Sequence, residues 1–230
     1  MKLEVCIDSF EGALLAKRYG ADRVELCAGL SVGGLTPGIG LTAKCAEIID
    51  VHAMLRHREG GFIYNEDDIM IMLDEIDFLA GAGASGVVFG CLLDTNEIDL
   101  KAAKALLEET QRLNLEATFH RAFDFTDDPL KSLDTLIELG FDRLLTSGKK
   151  AKAIDGIELI KELTSHANGR IQIMAGSGVN VSNALELSKS GVDALHFSSH
   201  LVNKEKDELR MGKRTFPDED KISSIFKLFR

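Results

Sequence analysis

The sequence predicts an α/β fold, a (β/α)₈ TIM barrel built as a single domain over residues 1–230, and three observations carry that expectation. Short β-branched or apolar runs alternate strictly with amphipathic stretches, and the alternation completes eight rounds. Four returns to the next strand are alike: Gly20-Ala21-Asp22, Gly83-Ala84-Ser85, Gly140-Phe141-Asp142 and Gly191-Val192-Asp193. Strict alternation makes the sheet parallel and puts helices outside it, because a parallel return needs a crossover of about a dozen residues or more. Right-handed crossovers leave an open doubly wound sheet or a closed barrel, and eight units favour closure.

In order, strands are predicted at 3–8, 23–27, 50–56, 86–91, 116–121, 143–147, 171–175 and 194–198. Helical periodicity fills 9–19, 41–48, 66–81, 99–113, 128–139, 153–167 and 182–190, with a last helix at 218–229 beyond a charged stretch, 203–214, that has no apolar period. The glycine of each repeated return ends a helix in the left-handed region. Pro37, Pro129 and Pro217, the three prolines, all fall outside the predicted strands, as ladder hydrogen bonding requires.

Composition narrows the function classes. The 37 Asp and Glu residues outnumber 27 Lys and Arg, and a formal charge of −10 opposes nucleic acid and anionic lipid. A small anionic molecule remains an admissible partner where donors cluster locally. No uncharged run approaches the roughly 18 residues of a membrane span, and the N-terminal apolar segment carries a carboxylate, Glu4, within four residues, so no export signal is expected. Cys6, Cys27, Cys45 and Cys91 are widely spread and form no C-x-x-C pair, which fits a reducing compartment. A cytoplasmic location is expected.

Alternate strand residues of a barrel face its lumen, so parity along each strand assigns the faces. Glu4 with Cys6, Glu25 with Cys27, and His52 with Met54 and Arg56 each share one parity; Val5, Leu26, Ala53 and Leu55 take the other. Leu3-Glu4-Val5-Cys6 returns as Val24-Glu25-Leu26-Cys27, which sets two carboxylates and two thiols on neighbouring strands. Paired thiols suit soft Cu(I), with the Met54 thioether as a further ligand. Cysteine is also among the most often buried residue types, and plain apolar packing is the competing reading.

At the C-terminal ends of the strands, Gly176, Ser177 and Gly178 and the pair Ser198-Ser199 occupy the two loops that often form an anion site in such barrels. A tight strand-to-helix turn needs those glycines with or without a ligand. His120, Arg121 and Asp124 close the fifth strand, and Arg56-His57-Arg58 forms the most basic short loop on that face. For an enzyme acting on a small phosphorylated or carboxylated metabolite, the candidate residues are Glu4 or Glu25 as base, His120 as acid or base, and Arg56 and Arg121 as clamps. The spacing assembles neither a zinc site nor a Cys-His pair, and whether the protein is an enzyme or a binding protein stays open.

Several segments together resemble the CutC copper-homeostasis family: Glu4-Val5-Cys6-Ile7-Asp8-Ser9, Glu25-Leu26-Cys27, Gly33-Gly34-Leu35-Thr36-Pro37 and Gly86-Val87-Val88-Phe89-Gly90. Thr118-Phe119-His120-Arg121-Ala122-Phe123-Asp124, Leu145-Thr146-Ser147-Gly148 and Met174-Ala175-Gly176 complete the series in family order, and the likeness runs from Glu4 to about Ser199. The resemblance implies a barrel, a cytoplasmic homo-oligomer (dimer or tetramer) and a part in copper tolerance or Cu(I) handling, with Cys6 and Cys27 matching the proposed copper cysteines. Two positions depart from the family pattern in the third loop, where His57 stands for proline and Gly61 for aspartate. In the seventh loop Ser177 stands where a third glycine is common.

Overall fold

The computed structural model describes residues 1–198, 200–202 and 215–230, with Val202 described through its backbone alone. Eight strands pair in parallel: β1 (Lys2–Ile7), β2 (Arg23–Leu26), β3 (Val51–Met54), β4 (Gly86–Phe89), β5 (Glu116–Phe119), β6 (Arg143–Thr146), β7 (Gln172–Gly176) and β8 (Ala194–Ser198). They follow chain order around the sheet, and β8 returns to β1 to close the barrel. Helices α1 (Phe10–Tyr19), α2 (Ile39–Ala46), α3 (Glu66–Gly81), α4 (Leu100–Arg112), α5 (Pro129–Leu139), α6 (Ile157–Ala167), α7 (Ala184–Ser188) and α8 (Glu219–Phe226) follow the strands in turn.

The main departure from strict alternation is a small antiparallel ribbon, β9 (His200–Val202) with β10 (Thr215–Pro217), between β8 and α8. Thr215 Oγ1 donates to Asp8 Oδ2 at 2.6 Å, tying the ribbon to the end of β1. Ser199 and the charged stretch 203–214 lie outside the described residues.

Local chemistry explains the element boundaries. Ser9, Asn65, Asp99, Asp128 and Asp218 each cap a helix by accepting a backbone N–H two or three residues into it. The repeated returns have a second purpose besides ending helices. Asp22 accepts the N–H of Leu3, Asp142 that of Ala117 and Asp193 that of Ile173, each at 2.8 Å. The aspartate thus satisfies a backbone donor at the start of the preceding strand, which would otherwise be left without a partner.

The large hydrophobic cluster lies between strands and helices and contains Val5, Leu26, Ala53 and Leu55. Inside the barrel only small apolar groups occur, Cys6, Cys27, Met54 and Val88 in one and Leu145, Met174 and Ala194 in the other. The rest of the lumen is polar. Arg143, fully buried, donates to Thr118 Oγ1 at 2.9 Å and Glu116 Oε2 at 2.9 Å. Arg23 is likewise buried and donates through Nε to Glu4, whose other oxygen meets His196 Nδ1 at 2.7 Å. The register places Glu4 level with both partners, Arg23 on one neighbouring strand and His196 on the other.

Burial raises the Glu4 carboxyl pKa, but the His196 hydrogen bond and the Arg23 and His196 charges outweigh it and hold the group well below its usual range. Because the folded value is depressed, the stability Glu4 contributes is complete above its unfolded value of about 4.3 and is lost as pH falls below that. Glu4→Gln strands Arg23 without its anion and is expected to destabilise the protein by about 3–5 kcal/mol at pH 7. Urea unfolding measures this; a loss under about 1 kcal/mol would show that the pair is not the ion lock the register implies.

Candidate functional site

A cavity of ≈390 Å³ opens at the C-terminal ends of the strands, and its two long walls differ in chemistry. One wall comes from β1, β2, β3 and β8 and carries Cys6, Cys27, Glu25, Met54 and His196. The other is built by His120 and Arg121 after β5 and the aromatic rings of Phe62 and Phe125, while Lys221 from α8 lines the cavity on the β8 side, where its ammonium donates to Ser198 O. Ser177, Gly178 and Ser198 line the rim between them.

On the first wall the two sulfurs stand 4.0 Å apart. Cys27 Sγ lies 3.5 Å from Glu25 Oε2, and His196 Nε2 lies 3.7 Å from that same oxygen. The ligand atoms of Cys6, Glu25 and His196 all fall within 4.8 Å of one another. The loop after β2 folds back through an Ala28–Leu35 bridge and brings Gly34 over the sulfurs. A Cβ on Gly34 would approach Cys27 Sγ and Met54 Cε to 3.2 Å, and its φ of +92° independently favours glycine.

These buried groups set one another's protonation. The Cys27 hydrogen bond, assisted by His196 and opposed by burial, draws the Cys6 thiol down to about 5. The same contact, with burial and Glu25, pushes Cys27 well above the usual thiol range. Burial also raises Glu25 well above a normal carboxyl, with the Cys6 and Glu4 charges adding to it against His196. Burial alone would lower His196, but Glu25, Cys6 and Glu4 raise it well above its usual value. The wall therefore biases Cys6 toward thiolate and His196 toward imidazolium, and biases Glu25 and Cys27 toward their protonated forms.

His120 behaves in the opposite way. Its Nδ1 accepts the backbone N–H of Ala122 at 3.2 Å, which places the ring proton on Nε2. Burial, then the Arg56 and Arg121 charges, lower it to about 3, so the ring is neutral near pH 7.

The remaining residues singled out from sequence divide by location. Glu4 sits beneath the cavity, engaged with Arg23 and His196. Arg56 spends its guanidinium on the carbonyls of Val32 and Gly34, both at 2.9 Å, and Gly60 at 2.6 Å, so it clamps two loops together and does not line the cavity. Gly176 is buried at the end of β7, where a Cβ would lie 2.6 Å from Leu145 Cδ1 and 3.1 Å from His196 Cδ2. Ser177 reaches the rim but donates its hydroxyl to Ala151 O at 2.7 Å. Cys6, Cys27, Glu25, His120, Arg121, Gly178 and Ser198 do meet around the cavity, and Ser199 lies outside the described residues. The four thiols form no disulfide.

Two functional residues escaped the sequence reading. His196 shares its inward parity with Ser198, while Leu195 and Phe197 join the outer core, so the parity rule extended to β8 points to it. Lys221, which donates to Ser198 O, carries no comparable signal, because α8 reaches the barrel mouth only through the fold.

Residues 1–201 match the CutC family. A CutC family protein from Glaesserella parasuis serovar 5 (strain SH0165) is 45% identical over 202 residues, covering 86% of this chain and 82% of that protein. One from Histophilus somni (strain 2336) is 41% identical over 244 residues and spans 100% of both chains. The crystal structure of the putative copper homeostasis protein CutC from Streptococcus agalactiae superimposes with a TM-score of 0.80 at 35% identity, covering 86% of this chain and 98% of that one. Thiamine phosphate pyrophosphorylase from Pyrococcus furiosus, at 15% identity and a TM-score of 0.63 over 99% of this chain and 94% of its own, shares the fold. With its eight-stranded parallel barrel and a match running through β8, this chain belongs to the CutC family.

Proposed function

We propose that the protein serves copper homeostasis by holding Cu(I) as cargo on the sulfur wall, with Cys6 and Cys27 as the principal ligands. The observation that carries this reading is the 4.0 Å spacing of the two sulfurs on adjacent strands, facing one cavity. Two metal–thiolate bonds of about 2.3 Å each span such a gap. Thiolates, thioethers and imidazoles suit Cu(I), and a carboxylate does not compete well for a soft ion.

Cys6 brings the thiolate already formed, whereas Cys27 must lose its proton to bind. Glu25, 3.5 Å from Cys27 Sγ, is placed to relay that proton. His196 supplies the third donor once its own proton leaves, and Met54 offers a thioether on the same side. The site needs both thiols reduced, so it belongs in a reducing compartment such as the cytoplasm. Among the described residues no helix is long and apolar enough to cross a membrane.

Titration of the reduced protein against a chromophoric Cu(I) chelator is expected to show one equivalent bound, with the affinity lost in Cys6→Ser and in Cys27→Ser. Binding no tighter than a glutathione buffer would defeat the reading. X-ray absorption of the loaded protein is expected to show two sulfurs and one nitrogen, the nitrogen disappearing in His196→Gln. Three sulfurs with no nitrogen would instead assign the third position to Met54.

A further inference from the structure

A single ion needs little of a ≈390 Å³ cavity, whose size lies within the range of roughly 300–1,000 Å³ common to small-molecule pockets. The far wall has features that copper does not use. β5 stands diametrically across the closed barrel from β1, and His120 follows it directly. His120 Nε2 is buried, bears the ring proton and has no protein partner among the described residues. A buried donor with no acceptor is costly, and His120 is one of the residues lining the cavity.

Beside it lie Phe62, with ring centroids 4.8 Å apart, and then Phe125, 5.7 Å from Phe62 and 60% exposed at the mouth. Arg121 lies on this side of the cavity, and Lys221 lines it from the β8 side. Arg121 is held through Nε by Asp124 and through Nη2 by Ser147, and its Nη1 makes no hydrogen bond among the described residues. Lys221 is half-buried, its ammonium resting on Ser198 O.

We propose that this wall binds a small organic anion with an apolar or aromatic body. An oxygen of the ligand accepts the His120 Nε2–H, the body lies against Phe62 and Phe125, and the negative charge meets Arg121. Neutral His120 acts here as a fixed donor that polarises the acceptor it holds, and a carbonyl is the acceptor best suited to that geometry. Both a carboxylate and a phosphate monoester suit the Arg121 guanidinium.

The test uses metal-free protein in the presence of a chelator, so failure of the copper reading does not decide it. Phenylpyruvate, phenyl phosphate and inorganic phosphate are titrated by calorimetry, while the His120 imidazole is followed in ¹H–¹⁵N spectra. At least one aromatic anion is expected to bind saturably and shift the Nε2–H resonance. The ring should stay the neutral Nε2–H tautomer throughout. His120→Asn, which keeps a side-chain oxygen for Ala122 N–H, and Arg121→Gln should each weaken binding about tenfold, the worth of one hydrogen bond to a charged or polarised group. Phenylpyruvate binding alone assigns carboxylates to the site, and phenyl phosphate binding alone assigns phosphate esters. Binding of inorganic phosphate only, no saturable binding at millimolar concentration, or binding that leaves the His120 resonance unmoved would each overturn the proposal.

Discussion

The lumen depends on one carboxylate. Glu4 is almost wholly buried, and it stays charged because the parallel register sets Arg23 and His196 level with it on the two flanking strands. Taking ions out of water costs several kcal/mol each, so none of the three is tolerable there alone. Together they make a closed set, and that set fixes the imidazole of His196. With Nδ1 committed to Glu4, its Nε2 turns toward Glu25 and Cys6. The buried salt bridge thus sets the orientation of the one imidazole that the sulfur wall shares with the layer below it. The Cys6 thiol is drawn down by the Cys27 hydrogen bond and then by His196, and His196 is raised by Glu25 and Cys6 as well as by Glu4.

A steric constraint runs through the same layer. His52 pairs in register with Gly86, and His196 with Gly176, while His120 follows the β5 strand whose partner continues into Gly90. A Cβ on Gly86 would lie 2.7 Å from the His52 ring, and one on Gly90 2.6 Å from the His120 ring. On Gly176 it would crowd Leu145 as well as His196. Each lumen histidine thus lies across a strand position with no side chain. An imidazole with flanking side chains does not fit inside an eight-stranded barrel at native packing density; an imidazole over a glycine does. These glycines have ordinary φ values, so their need is space rather than backbone freedom.

Much of this was legible before the structure. Eight strands and their inward parity follow from alternation alone, since a period of two cannot be shifted without exposing the apolar face. The Glu-x-Cys repeat already placed both thiols on one side of adjacent strands. The partners were less visible, because they come from strands far apart in sequence: Glu4 meets His196 across 192 positions and His52 meets Arg143 across 91. Barrel closure makes those contacts, and no local pattern encodes it. Arg56 shows the converse limit. A basic loop at the mouth reads as an anion clamp, yet three carbonyls at the turns of two loops had no other donor as strong, and they took it. The β9–β10 ribbon was hidden because its strands are three residues each, too short for periodicity to register.

Arg121 kept its charge for the opposite reason. Its neighbour Asp124 is the group best placed to neutralise it, at 2.8 Å, but that carboxylate is already heavily engaged. Oδ1 accepts from Thr146 Oγ1 at 2.6 Å and from Lys149 N at 3.1 Å, and Oδ2 accepts from Ser147 Oγ at 2.8 Å and Ser147 N at 3.1 Å. Charge spread over so many donors is less available to any one of them. Asp124 thereby staples the loop after β6 to the turn after β5 and positions the guanidinium at the cavity without cancelling it. In a chain with a net charge of −10, an anion is drawn to this face only by such local arrangement. The two walls consequently face each other as a sulfur-bearing surface and one that carries Arg121, and the barrel's closure sets them on opposite sides of one cavity.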